Sequence, residues 1–196
     1  MGKKIILYHG TSQENAEKIL KEGFKTDQKY NWEVKSKKGF VYLSKAYAPF
    51  YAMNATKSDK LALIKVEVDL DDLYPEDDFI MFAKGKPKYS QEELDKIDME
   101  YEKPLWSSSL KYMGNVAVKP QNIKILGIKS FNGKHLLLRC DPVISPMNFK
   151  FMGNYYKDLN DWIYEGKEIL KFKFFMQEEL ERAGWINSEG KLKKVT

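Results

Sequence analysis

The chain has 196 residues, 43% apolar and 14% aromatic, enough for one domain with a sizeable core, and no run of eighteen apolar residues marks a membrane-spanning helix. The net charge of +5 is uneven: +5 over 1–69, −7 over 70–102, +6 over 103–149 and +1 over 150–196, so two basic segments flank an acidic one, suited to nucleic acid, to dinucleotide phosphates or simply to water. One cysteine, Cys140, and two histidines, His9 and His135, leave no internal disulfide and no Cys/His metal site, and with no apolar run after Met1-Gly2-Lys3-Lys4 a signal peptide is not expected and a cytoplasmic location fits.

In chain order, Lys3 to Tyr8 reads as a strand. A helix from Glu14 to Gly23 follows, with Ser12 as N-cap and Gly23 as terminator. Residues 26–38 are polar and basic, a loop. Phe40 to Leu43 is a short strand, and Ser44 opens a second helix carrying Tyr47, Phe50, Tyr51 and Ala52, with Pro49 in its first turn. Leu61 to Leu70 alternates, Ile64, Val66 and Val68 against Lys65, Glu67 and Asp69, a strand with one wet face. Leu70 to Phe82, with Pro75-Glu76-Asp77-Asp78, reads as acidic turn. Gln91 to Tyr101 reads as one polar helix, boxed by Ser90 and Glu93. A late strand is assigned to Ser107–Val118, then strands at Ile123–Ile128 and Lys134–Arg139. Asp141-Pro142 and Ser145-Pro146 punctuate a boundary. Beyond it, Tyr155 to Arg182 is an amphipathic helical stretch, and Ser188-Glu189-Gly190 is the turn of a terminal hairpin. Scattered strands with helices early and late predict an α+β fold with mostly antiparallel sheet. The chain divides into a domain at 1–145 and a helical extension at 146–196, which offers a surface to a partner protein.

Two segments carry chemistry. Tyr8-His9-Gly10-Thr11-Ser12 ends an apolar run with a histidine and a glycine, and Gly39-Phe40-Val41-Tyr42-Leu43-Ser44 sets a tyrosine in another. A strand end bearing His-Gly, a helix, then a strand bearing Tyr is a layout that holds a ring-bearing ligand. Taken singly, His9 and Tyr42 suit a core as well as a site.

Over roughly residues 4–130 this order resembles the H-Y-E group of ADP-ribosyltransferases, the clan of poly(ADP-ribose) polymerases and diphtheria-type toxins, and among them the small bacterial and phage members. The resemblance implies that clan's fold of split antiparallel sheets, NAD as co-substrate, and transfer of ADP-ribose to a macromolecule, nucleic acid or protein, as a toxin or phage–host conflict effector. His9, Gly10 and Thr11 match its first motif: the histidine bonds a ribose hydroxyl and the glycine backbone pairs with the nicotinamide amide. Tyr42 matches the second motif and Tyr51 the second clamping tyrosine. Ser12 and Ser44 complete the implied cofactor shell. The third motif, a glutamate opening a late strand, is absent; Gly114 or Asn115 holds its place. An oxocarbenium-like transition state calls for negative charge or a strong dipole, which leaves Asp77 and Asp78 as stand-ins and Asn115 as a dipole. Two other readings stay open: a non-catalytic nucleotide- or partner-binding module on the same fold, and an RNA 2′-phosphotransferase-like enzyme, for which the chain's two arginines, Arg139 and Arg182, are few.

Overall fold

A computed structural model of the chain describes residues 2–26, 36–45 and 47–133, together with Leu159 and Trp162. Strand β1 runs Lys4–Ser12 and pairs antiparallel along its whole length with β3, Lys60–Asp69, from Lys4 opposite Asp69 to Ser12 opposite Leu61. That ladder carries β1 four residues beyond the expected Tyr8, so His9, Gly10 and Thr11 lie within the strand. Strand β6, Lys124–Asn132, lines the outer side of β3. On the other side stand β2, Val41–Ser44, β5, Asn115–Val118, and β4, Leu73–Pro75. The sheet order is β4-β5-β2-β1-β3-β6, every pairing antiparallel. Its two halves of three strands meet at one pair, Tyr8 opposite Ser44.

Strand alternation sends side chains to both faces. Leu7, Ala62, Ile64, Val66, Val116 and Val118 pack under helix α1, Gln13–Glu22, through Ala16 and Ile19. Tyr8, Leu61 and Leu63 pack on the other face against helix α2, Ala48–Ala55. Leu159 is fully buried in that second cluster, and Trp162 stacks on Tyr8 with centroids 5.4 Å apart. The remainder of the expected extension, the terminal hairpin, the strand at 134–139, His135 and Cys140 lie outside the described residues.

The predicted caps on α1 hold: Ser12 Oγ accepts the N–H of Asn15, and Gly23 takes φ 76°. Helix α2 begins four residues later than expected, because Ser44 is the last residue of β2. Residues 70–82 are not a turn. A 3-10 turn at Leu70–Asp72 leads into edge strand β4 and then helix α3, Asp77–Ala83. Asp77 and Asp78 occupy the first turn of α3, where the helix dipole favours acids, and Phe79, Ile80 and Met81 are buried. The expected helix at 91–101 is two: α4, Gln91–Asp95, with the Ser90–Glu93 capping box, and α5, Met99–Glu102, capped by Asp98. Asp98 takes the N–H groups of Glu100 and Tyr101, so it starts a helix and cannot continue one. The late strand assigned to 107–118 is helix α6, Trp106–Tyr112, followed by the shorter β5. Ser109 and Leu110 are its buried positions, a helical stripe that three consecutive serines disguise.

Helix α2 rests directly on the backbone of Gly10. A Cβ there would lie 1.8 Å from the carbonyl oxygen of Ala48 and 2.7 Å from the amide nitrogen of Ala52. The glycine is therefore demanded first by the helix. Gly10→Ala is expected to lower unfolding free energy by about 3 kcal/mol, the upper end of overpacking costs, because backbone cannot give way like a side chain; urea denaturation measures it, and a loss under about 0.5 kcal/mol would refute the packing argument.

Candidate active site

The two halves of the sheet part just past Tyr8 and Ser44, and a cavity of about 880 Å³ opens there. His9, Gly10 and Thr11 of β1, Val41 and Tyr42 of β2, and Phe50 and Tyr51 of α2 line it. Glu76, Asp77 and Asp78 form another wall, with Tyr89 beside them; Phe24, Lys25 and Lys88 complete the parts used below. Seven of the residues expected from sequence thus share one cavity: His9, Gly10, Thr11, Tyr42, Tyr51, Asp77 and Asp78.

Strand register sets the first two rings. His9 Nδ1 lies 3.0 Å from the carbonyl oxygen of Tyr42. A carbonyl only accepts, so Nδ1 carries the proton and donates it. Burial lowers the His9 pKa, outweighing that bond, so the ring is neutral at neutral pH and Nε2 is an acceptor suited to a hydroxyl. Phe24 packs edge-on against the ring, centroids 5.2 Å apart.

Tyr42 donates its hydroxyl to Asp77 Oδ2 at 2.5 Å, and the backbone N–H of Lys37 donates to the same oxygen at 3.0 Å. Lys37 Nζ in turn donates to the carbonyls of Leu94 and Asp95, tying the segment before β2 to the end of α4. Burial, then the charge of Asp77, pushes the Tyr42 phenol well up, so it stays a donor. Asp77 is buried and its pKa is raised by that burial, against the opposing bonds from Tyr42 and Lys37. Its second oxygen, Oδ1, has no donor among the described residues. Asp78 is exposed and receives the hydroxyl of Tyr89.

Asn115 opens β5 and does not line the cavity. Its Nδ2 donates to Tyr51 Oη at 2.7 Å and to Glu76 Oε2 at 3.4 Å, while its own Oδ1 is buried with no donor among the described residues. Burial, then Glu76 and Asp78, raises the Tyr51 phenol. Ser12 and Ser44, expected as cofactor contacts, spend their hydroxyls on backbone. Ser12 caps α1, and buried Ser44 donates to the carbonyl of Gly114 and accepts the N–H of Tyr47, shaping the corner between β2 and α2. Neither lines the cavity.

Glu76 was not foreseen. It follows β4 and precedes α3, 8% exposed, with its N–H held by Ser109 Oγ at 2.9 Å; Ser109 donates to the carbonyl of Asn115 at 2.8 Å. Burial, then the charges of Asp78 and Asp77, pushes its carboxyl up to about 8, against the Asn115 bond. The signal was the third acid beside Asp77 and Asp78, hidden once 70–82 was taken for a turn.

Among the described residues no group of three His, Cys, Asp or Glu is arranged to hold a metal, and no helix is long and apolar enough to cross a membrane. No protein-family model, curated protein or solved structure matches the chain significantly.

The raised carboxyl has a stability consequence of fixed sign. The Glu76 pKa in the fold, about 8, exceeds its ordinary 4.5, so its contribution is fully present below 4.5 and is lost as pH rises through 8. Glu76→Gln, neutral and of equal size, escapes that loss. It is expected to melt at least about 4 °C above the wild type at pH 9, the gap closing towards pH 4.5; calorimetry across that range checks it, and a gap independent of pH would refute the burial of the charge.

Proposed function

We propose that this protein is an NAD-dependent ADP-ribosyltransferase that modifies a macromolecule, nucleic acid or protein. The observation that carries the reading is the meeting, at the seam of a divided antiparallel sheet, of His9 and Gly10 from one half, Tyr42 from the other, and Tyr51 from α2, beside an acidic wall. The cavity has the volume of a small-molecule site, and its aromatic lining suits a flat ring. His9 Nε2 would accept a ribose hydroxyl. Tyr42 and Tyr51 would flank nicotinamide. Lys25 and Lys88, also on the lining, suit the pyrophosphate.

Breaking the bond from nicotinamide to ribose leaves positive charge spread over C1′ and the ring oxygen. Carboxylates fixed before the reaction lower that barrier, since they need no reorganisation as the charge appears. Asp77, clamped by Tyr42 and Lys37, and Asp78, at the head of α3, supply them. Asn115, the residue opening β5 where the resemblance implies a glutamate, would act through its bonds to Tyr51 and Glu76.

The test is nicotinamide release from NAD by the purified protein, alone and with RNA, DNA or cell lysate. Release is expected, rising with one acceptor class, and His9→Ala and Tyr42→Ala are each expected to cut it about 100-fold, the scale of a misplaced substrate. No release under any condition overturns the enzymatic reading and favours a binding module instead.

A further inference from the structure

Glu76 is a buried carboxyl on the wall of this cavity, tied to two other elements. Its backbone is pinned by Ser109 of α6, one side-chain oxygen is held by Asn115 of β5, and Tyr51 shares the same amide. Oε1 receives no hydrogen bond from the described residues and the side chain lines the cavity. Its neighbours are committed elsewhere: Asp77 Oδ2 takes two donors, and Asp78 is exposed and holds Tyr89. Asp77 Oδ1 and Asn115 Oδ1, the nearby oxygens without a donor among the described residues, are buried away from the cavity. Glu76 Oε1 is therefore the oxygen of this cluster left open to a group that brings a hydroxyl proton.

We propose that Glu76 is the general base of the transfer, taking the proton of an acceptor hydroxyl, or of water, as that oxygen attacks C1′. This rests on the transferase reading above. The bond from C1′ to the nicotinamide nitrogen breaks, and its electron pair neutralises the ring's positive charge. A bond forms from the acceptor oxygen to C1′. The acceptor proton moves to Glu76 Oε1 and is later lost to solvent. Charge and atoms balance with no further reactant. The acceptor class follows: a group that must surrender a proton as it attacks, such as a hydroxyl, and not a carboxylate.

The base works only when ionised, and the groups facing it set where that happens. Asp77 and Asp78 of α3 disfavour its charge, and Asn115 favours it. Tyr51 and Tyr42, both held as neutral phenols, Tyr89, Lys25, Lys88 and neutral His9 complete the titratable groups of the cavity.

The experiment is the pH profile of nicotinamide release from 5.5 to 9.5, with NAD and water alone and with the acceptor fraction that most stimulates release. The rate should rise about tenfold per pH unit and level off near 8, the value of Glu76. Glu76→Gln should lose about 10²–10⁴-fold and the step near 8, while titration calorimetry reports NAD binding within about twofold of wild type. Asp78→Asn, at an exposed position, keeps the test alive should Glu76→Gln misfold: it removes the leading charge that raises Glu76 and should move the step to lower pH. A wild-type profile without the step, a Glu76→Gln enzyme that keeps it, or an unmoved midpoint in Asp78→Asn overturns the assignment while release itself still stands. Absence of release in the wild type removes the transferase reading and this proposal with it.

Discussion

The site depends on a seam. Strands β1 and β2 are bonded only where Tyr8 faces Ser44, and past that pair they separate. A sheet that came apart there without compensation would leave backbone groups bare in the interior, which folded chains avoid. His9 supplies compensation: its Nδ1 proton satisfies the carbonyl of Tyr42 across the gap. The opening is thus a designed parting, with a side chain in place of a ladder bond. The same bond fixes the tautomer of His9, so one contact sets both the width of the cleft and the chemistry of the ring that faces it.

Everything around the seam is arranged to keep it open and rigid. Gly10 lets α2 settle on the strand itself, which brings Tyr51 to the cavity. Ser44 turns the chain from β2 into α2 by bonding both Gly114 and Tyr47. On the acidic side, Ser109 joins the backbones of Glu76 and Asn115, and Lys37 joins Asp77 to the end of α4. These ties run between elements far apart in sequence, such as Tyr42 with Asp77 and Tyr51 with Asn115. Site geometry and tertiary structure are therefore one set of contacts.

That explains what was readable beforehand. Local rules sufficed where local physics decides: the Ser12 and Gly23 caps of α1, the Ser90 box of α4, the alternation of β3. Tyr42 and His9 stood out by their order, a His-Gly strand end, a helix and then a Tyr-bearing strand, since each taken singly suits a core as well. Ser44 and Ser12 drew a functional reading from adjacency, yet their hydroxyls are spent on backbone. Residues 106–112 hold a helix because Leu110 and Ser109 bury against β4 and β5, a tertiary gain no propensity of Ser-Ser-Ser announces. Glu76 was illegible for the same reason: only the edge strand β4, three residues long, turns an acidic run into a wall.

The acidic segment at 70–102 is thus two things at once. Much of it is solvated or pairs with lysines on the surface, as Glu93 does with Lys86 and Glu100 with Lys119, contacts worth little to stability. Two adjacent residues are different. Glu76 and Asp77 are buried, and Asp77 Oδ1 has no donor among the described residues, at a cost of roughly 1–3 kcal/mol. A fold selected for stability alone would have replaced them with apolar side chains of similar size. Glu76 and Asp77 line the cavity where the sheet parts, and acids held there at a cost to folding are what a ligand-binding or catalytic site calls for.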